Sequence, residues 1–152
     1  MLFRSCTTDT QPLPGCILPS DRRIQEAISK YSDRVCLKSI NHLFSLYGSR
    51  ALEVLALVNN EPELVDKISP NLPDIKAQIV YAVRSELAHT LVDIARRRTT
   101  LAMHANYGLE LLPVMTETLN KYCGWSQEKC DRACAEYRTY MEENCIPDYQ
   151  LL

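Results

Sequence analysis

The 152-residue chain is 46% apolar and 24% charged, with a formal net charge of -2 at pH 7. That balance excludes a disordered tail and a polycationic nucleic-acid binder. The length is enough to bury the core of one ordinary domain without disulfides or metals. With only four glycines, and Val and Ile thinly spread among long helix-forming side chains, the composition favours an all-α fold over an all-β one.

The longest apolar run, residues 51–58, is interrupted by Glu53 and is far shorter than the ~20 residues that cross a bilayer, so no transmembrane segment is expected. Asp9, Pro12 and Pro14 follow the first few residues too closely for a signal or transit peptide. Seven cysteines without such a signal read as reduced thiols in a soluble intracellular chain, with disulfides the lesser alternative.

Residues 1–20, with Pro12, Pro14, Gly15 and Pro19 among Thr, Ser and Asp, show no helical period and read as an extended linker. Ser20 is placed as the N-cap of a first helix carrying Ile24, Ala27, Ile28 and Tyr31 at three- and four-residue steps. Leu37, Ile40, Leu43, Phe44 and Tyr47 repeat the spacing until Gly48, and Ser49 opens a further helix through Leu52, Leu55 and Val58. Asn59, Asn60 and Pro62 precede a short turn through Leu64, Val65 and Ile68, and Pro70 and Pro73 bracket the loop beyond it.

A long helix is predicted from Asp74, with Val80, Val83, Leu87, Leu91 and Ile94 on one apolar stripe. After a loop over residues 99–106, Leu111, Leu112, Met115, Leu119 and Tyr122 mark another helix, with Pro113 in its first turn and Gly124 at its end. Ser126 caps a last helix with Cys130, Cys134, Tyr137 and Met141 on its buried face, and Pro147 stops it. The expected fold is therefore all-α, a single compact bundle of about five to seven helices over residues 21–147, with a tail at 148–152.

No complete catalytic site is legible. Cys123, Cys130, Cys134 and Cys145 cluster in sequence, but there is no Cys-x-x-Cys knuckle, so they read as small core residues and no metal site is assigned. His42, His89 and His104 fall on separate elements with no nucleophile nearby, and His89 reads as a hydrogen-bonding partner in a polar helix stripe. Scattered glycines cannot cradle a phosphate, so no nucleotide cofactor is assigned to this chain.

The run Arg96, Arg97 and Arg98 remains. Arg96 reads as an ordinary solvated residue near a helix C-terminus. Glu86, Asp93 and Arg97 share a polar stripe, with Asp93 and Arg97 a favourable i,i+4 pair. Arg98 projects onto the apolar stripe beside Leu87 and Leu91, where an unpaired guanidinium is costly. Either the helix ends there, or Arg98 meets an acidic group, or it contacts a partner domain or an anionic ligand.

Read in order, Leu43-x-x-x-Tyr47-Gly48-Ser49, Tyr81-x-x-x-x-Glu86, Asp93-x-x-x-Arg97-Arg98-Thr99, Leu112-Pro113 and Gly124-Trp125 resemble the C-terminal domain of FAD-dependent glycerol-3-phosphate dehydrogenases and the related glycerophosphate oxidases. The likeness covers residues 7–140, and residues 12–15, Pro-Leu-Pro-Gly, look like the segment that leaves the flavin domain in those enzymes. Lys76 and Gln78 stand where family members often carry two acidic residues.

The resemblance implies a parent flavoenzyme that oxidises sn-glycerol 3-phosphate to dihydroxyacetone phosphate, with electrons passing to a quinone or oxygen. It implies a helical cap, inactive alone, whose partner is the flavin-binding domain. Arg97, Arg98 and Thr99 are expected on the face that meets that domain or the substrate phosphate. A homodimer and peripheral membrane association of the parent enzyme are further implications. The alternative is a free-standing helical module that binds another protein through one groove.

Overall fold

The computed structural model describes residues 10–13 and 15–147, so the predicted tail at 148–152 and most of the predicted linker's first half lie outside the described residues. The fold is all-α: six α-helices joined by short 3-10 and π turns, with one isolated antiparallel bridge, Lys67 to Ile75, and no strand among the described residues. The chain groups into two compact units, one ending at Glu53 and one starting at Val54.

In the first unit, α1 (Arg22–Tyr31) starts one residue later than the sequence suggested. Its cap is Asp21, not Ser20, because the Asp21 carboxylate accepts the Arg23 N–H at 2.9 Å and also holds the Arg23 guanidinium at 2.9 and 2.8 Å. Ala27 and Tyr31, one turn apart, are its buried residues. Helix α2 (Leu37–Tyr47) buries Ile40, Leu43, Phe44 and Tyr47 and ends at Gly48. Leu37, expected on that stripe, is half exposed in the first turn.

In the second unit, Val54, Leu55 and Val58 of α3 (Ala51–Asn60) are fully buried. The proline-bracketed loop that follows is closed across its neck, with the Ile68 N–H on the Asp74 carbonyl at 3.0 Å and the Lys76 N–H on the Asp66 carbonyl at 2.9 Å. Helix α4 (Lys76–Glu86) starts on Gln78, whose buried amide oxygen accepts the Ile75 N–H at 2.9 Å and whose amide nitrogen donates to Asp74 at 3.1 Å. Lys76 pairs with Asp66 at 3.1 Å. The two positions where the resemblance led one to look for acids therefore hold the start of α4 together.

The predicted long helix through Val80, Leu87 and Ile94 is not continuous. Leu87 adopts a left-handed conformation (φ 57°), is 74% exposed, and ends α4. The Ala88 N–H returns to the Ala82 carbonyl at 2.9 Å, the closure typical of a helix C-terminus. A new helical segment starts after Thr90, at Leu91, and passes at once into a π-helical turn, Asp93–Arg98. Leu91 and Ile94 remain in the core, so the apolar residues are shared between two helices.

Beyond the π turn, Leu101 is fully buried, and the chain makes three consecutive left-handed residues at Asn106, Tyr107 and Gly108. Helix α5 (Leu112–Cys123) carries Pro113 in its first turn and ends on left-handed Gly124, as its sequence predicted. Helix α6 (Gln127–Asn144) is capped by Ser126, whose hydroxyl accepts the Lys129 N–H at 3.2 Å. Helix α5 packs on α4 and on α6. The buried face of α6 is Cys130, Ala133, Tyr137 and Met141; Ala133 is there in place of Cys134, which is only half-buried.

Two glycines separate conformation from space. A Cβ on Gly108 (φ +70°) would lie 2.8 Å from the Leu101 carbonyl oxygen, while one on Gly124 (φ +68°) would meet nothing within 4 Å. Gly124→Ala should therefore cost only the left-handed backbone penalty, ~1 kcal/mol. Gly108→Ala adds a backbone collision and should cost about 2–4 kcal/mol. Urea denaturation of the two variants measures the difference, and equal losses would contradict the packing described around Leu101.

Candidate functional site

The residues singled out in the sequence converge on the segment from Glu86 to Thr99. Thr90 and Asp93 cap each other: the Asp93 N–H donates to the Thr90 hydroxyl at 3.0 Å, and Asp93 Oδ2 accepts the Thr90 N–H at 3.0 Å and the Thr90 hydroxyl at 2.9 Å. The same oxygen accepts the His89 N–H at 3.1 Å. Asp93 Oδ1 takes the Arg97 guanidinium at 2.5 Å, the predicted i,i+4 pair. Burial pushes the Asp93 carboxyl up, but these donors outweigh it and hold it at about 2, against an ordinary 3.8. His89 contributes through its backbone from an exposed loop, not from the helix stripe expected for it.

Arg98 is where helical projection failed, and the break at Leu87 explains why. Because α4 ends at Glu86, the partly exposed Arg98 lies beside that terminus, and its Nε donates to the Glu86 carbonyl at 3.1 Å. A cation on a helix C-terminal carbonyl is favourable through both the hydrogen bond and the helix dipole. Glu86 and Asp93 thus belong to successive helices rather than to one polar stripe. Thr99 is buried, with its hydroxyl donating to the Ile94 carbonyl at 2.7 Å; its own N–H reaches the same carbonyl at 3.0 Å, closing the π turn. Arg97, in contrast, keeps more than half of its side chain in solvent.

Arg96 has a setting the sequence did not disclose. Its guanidinium donates to the Cys145 thiol and lies 5.8 Å from the centre of the Tyr140 ring, both supplied by the end of α6. Arg96 is solvent-exposed, as expected, and also meets the end of another helix.

Burial pushes the thiols of Cys123, Cys130 and Cys134 up, which suits packing rather than metal ligation. Among the described residues, no three His, Cys, Asp or Glu side chains converge as a metal site would require. Of the described glycines, Gly48 packs against the Gly15 carbonyl, while Gly108 and Gly124 stand at separate turns.

The polar focus of this all-α domain is a capped, arginine-ended π turn. Residues 6–130 match a profile of the C-terminal domain of alpha-glycerophosphate oxidase. The chain belongs to that family. It is 53% identical over 148 residues to a glycerol-3-phosphate dehydrogenase of Synechocystis, covering 96% of this chain and 26% of that protein.

Glycerol-3-phosphate dehydrogenase 2 of Mycobacterium tuberculosis is 28% identical over 112 residues, 73% of this chain and 19% of the relative. A probable mitochondrial glycerol-3-phosphate dehydrogenase of Caenorhabditis elegans is 30% identical over 106 residues, 66% of this chain and 14% of the relative. The chain therefore spans about a quarter or less of these proteins' length. No solved structure matches it.

Asp93 should make stability depend on pH. Its carboxyl is held below the unfolded value, so its contribution is complete above 3.8 and is lost as the pH falls towards about 2. Asp93→Asn should lose ~1 kcal/mol of stability at neutral pH, the usual worth of a helix cap. Urea melts across the acid range should show a shallower acid decline in the variant, and parallel curves would remove Asp93 from this role.

Proposed function

We propose that this chain is the C-terminal helical cap of an FAD-dependent glycerol-3-phosphate dehydrogenase, with residues 21–147 acting as the cap, 1–20 as the linker from the flavin-binding domain and 148–152 as a tail. The observation that carries this reading is the identity of 53% with the Synechocystis dehydrogenase over 96% of the chain. When bound, FAD supplies the hydride acceptor that converts sn-glycerol 3-phosphate to dihydroxyacetone phosphate and the route for electrons to quinone. The residues described here do not fit that cofactor, having no cradle for its phosphates. The chemistry is assigned to the portion of the parent enzyme that this chain does not match, and the chain alone is inactive.

The cap's own residues bind and orient. Arg97 offers an exposed guanidinium pinned by Asp93, ready to pair with a carboxylate of the flavin-binding domain or with the substrate phosphate. Arg98 and Thr99 hold the turn that presents it. No helix among the described residues is long and apolar enough to cross a membrane. Peripheral membrane association and a homodimer belong to the parent enzyme in this reading. The free-standing module would not account for a match to dehydrogenases along nearly the whole chain.

The test is complementation. The purified chain should carry no yellow flavin absorbance and should not oxidise glycerol 3-phosphate. Co-expressed with the Synechocystis dehydrogenase shortened by its matching C-terminal quarter, it should co-purify and restore glycerol-3-phosphate-dependent dye reduction. Arg97→Ala should weaken that restoration about tenfold, the scale of one lost charge-assisted contact. Flavin uptake by the chain alone, or failure to co-purify, would overturn the reading.

A further inference from the structure

The end of α6 and the turn after the π helix enclose a depression of about 340 Å³ lined by Arg96, Met103, Tyr107, Met141, Asn144 and Cys145. Its volume is at the small end for ligand sites. Three independent features meet there. The first is charge. Arg97 is paired with Asp93 and Arg98 rests on the C-terminus of α4, but Arg96 has no carboxylate within 4.0 Å among the described residues. Its Nη1 lies against Cys145 and the Tyr140 ring lies alongside, and among the described residues its Nε and Nη2 have no hydrogen-bond acceptor.

The second is backbone strain. Asn106 and Tyr107 are both left-handed at φ 53°, a conformation that is unfavourable for a bulky residue such as tyrosine. The surroundings enforce it, since the Tyr137 hydroxyl donates to the Tyr107 carbonyl at 2.7 Å and Gly108 packs against the Leu101 carbonyl. The outcome is that Tyr107 joins the wall of the depression. The third is an adaptable apolar lining. Met103 is 76% exposed at the rim while Met141 is buried at 1%, and thioether side chains conform readily to small ligands.

We infer that this depression is a binding site for a small organic carboxylate with a short apolar body, its carboxylate on the Nε–Nη2 edge of Arg96 and its body against Met103, Met141 and Tyr107. A carboxylate is preferred to a phosphate because one guanidinium edge offers two parallel donors that match a planar monoanion, and no second cation lines the depression to balance a dianion. The site lies in this chain alone and needs neither flavin nor glycerol 3-phosphate, so it stands or falls independently of the proposed dehydrogenase role.

The test uses the 152-residue chain labelled with carbon-13 in its methionine methyl groups. Titration with hexanoate should shift the Met103 and Met141 methyl signals saturably, while Met115, buried in α5, serves as an internal control. Arg96→Gln should weaken hexanoate binding about tenfold, and Arg96→Lys should also weaken it because the planar fork is lost. Circular dichroism and the Met115 signal report whether each variant is folded.

The neutral analogue 1-hexanol should give no saturable shift in the wild-type chain. Equal shifts with hexanol, or unchanged affinity in a folded Arg96→Gln, would reduce the site to an apolar depression and overturn the proposal. Absence of any hexanoate shift at Met103 and Met141 would overturn it outright. Inorganic phosphate binding as tightly as hexanoate would overturn the carboxylate assignment.

Discussion

The Asp93 carboxylate is the interaction on which the polar half of this domain depends. One oxygen gathers the Thr90 hydroxyl and two backbone N–H groups, and the other holds Arg97. By satisfying the free donors at the start of a helix, it makes it favourable for the chain to stop α4 at Glu86 and begin again at Leu91. The left-handed Leu87 and its exposure are the local cost of that break. The gain is that Arg98 meets the end of α4 instead of being forced into a continuous apolar stripe.

The π turn follows from the same constraint. Closing with the Thr99 N–H on the Ile94 carbonyl, five residues back, places one more residue in the turn than an α-helix would. Ile94 and Ala95 then point into the core while Arg96 and Arg97 point out of it. The three arginines consequently leave in different directions, onto α6, onto Asp93 and onto the terminus of α4. A run that looks uniform in sequence is three separate contacts in space.

Family membership and local physics agree on what the domain provides. The buried faces of α4, α5 and α6 contain Ile79, Leu112, Leu119 and Met141, apolar side chains that each contribute roughly 1.5–3 kcal/mol on burial. The cysteines of α6 serve this packing, and the hydrogen-bonding capacity of Thr99 and Gln78 is spent on helix ends. The exposed guanidinium of Arg97 and the depression beside Arg96 are the two surfaces proposed for recognition.

Much of this was legible from local rules. The helices at Ser126, Pro113 and Gly124 start and stop where capping chemistry dictates, because a cap involves residues within one turn of each other. The Asp93 and Arg97 pair was readable for the same reason, and so was the Thr90-x-x-Asp93 cap, although the stronger apolar period across Leu87 concealed it. The surroundings of Arg96 were not readable. Its thiol partner lies 49 residues further along, and Tyr107 faces it only because Tyr137 and Gly108 hold a left-handed turn in place. Sequence by itself determined the helical class, most helix ends and the family; tertiary structure decided where each arginine points, because that depends on contacts between distant parts of the chain.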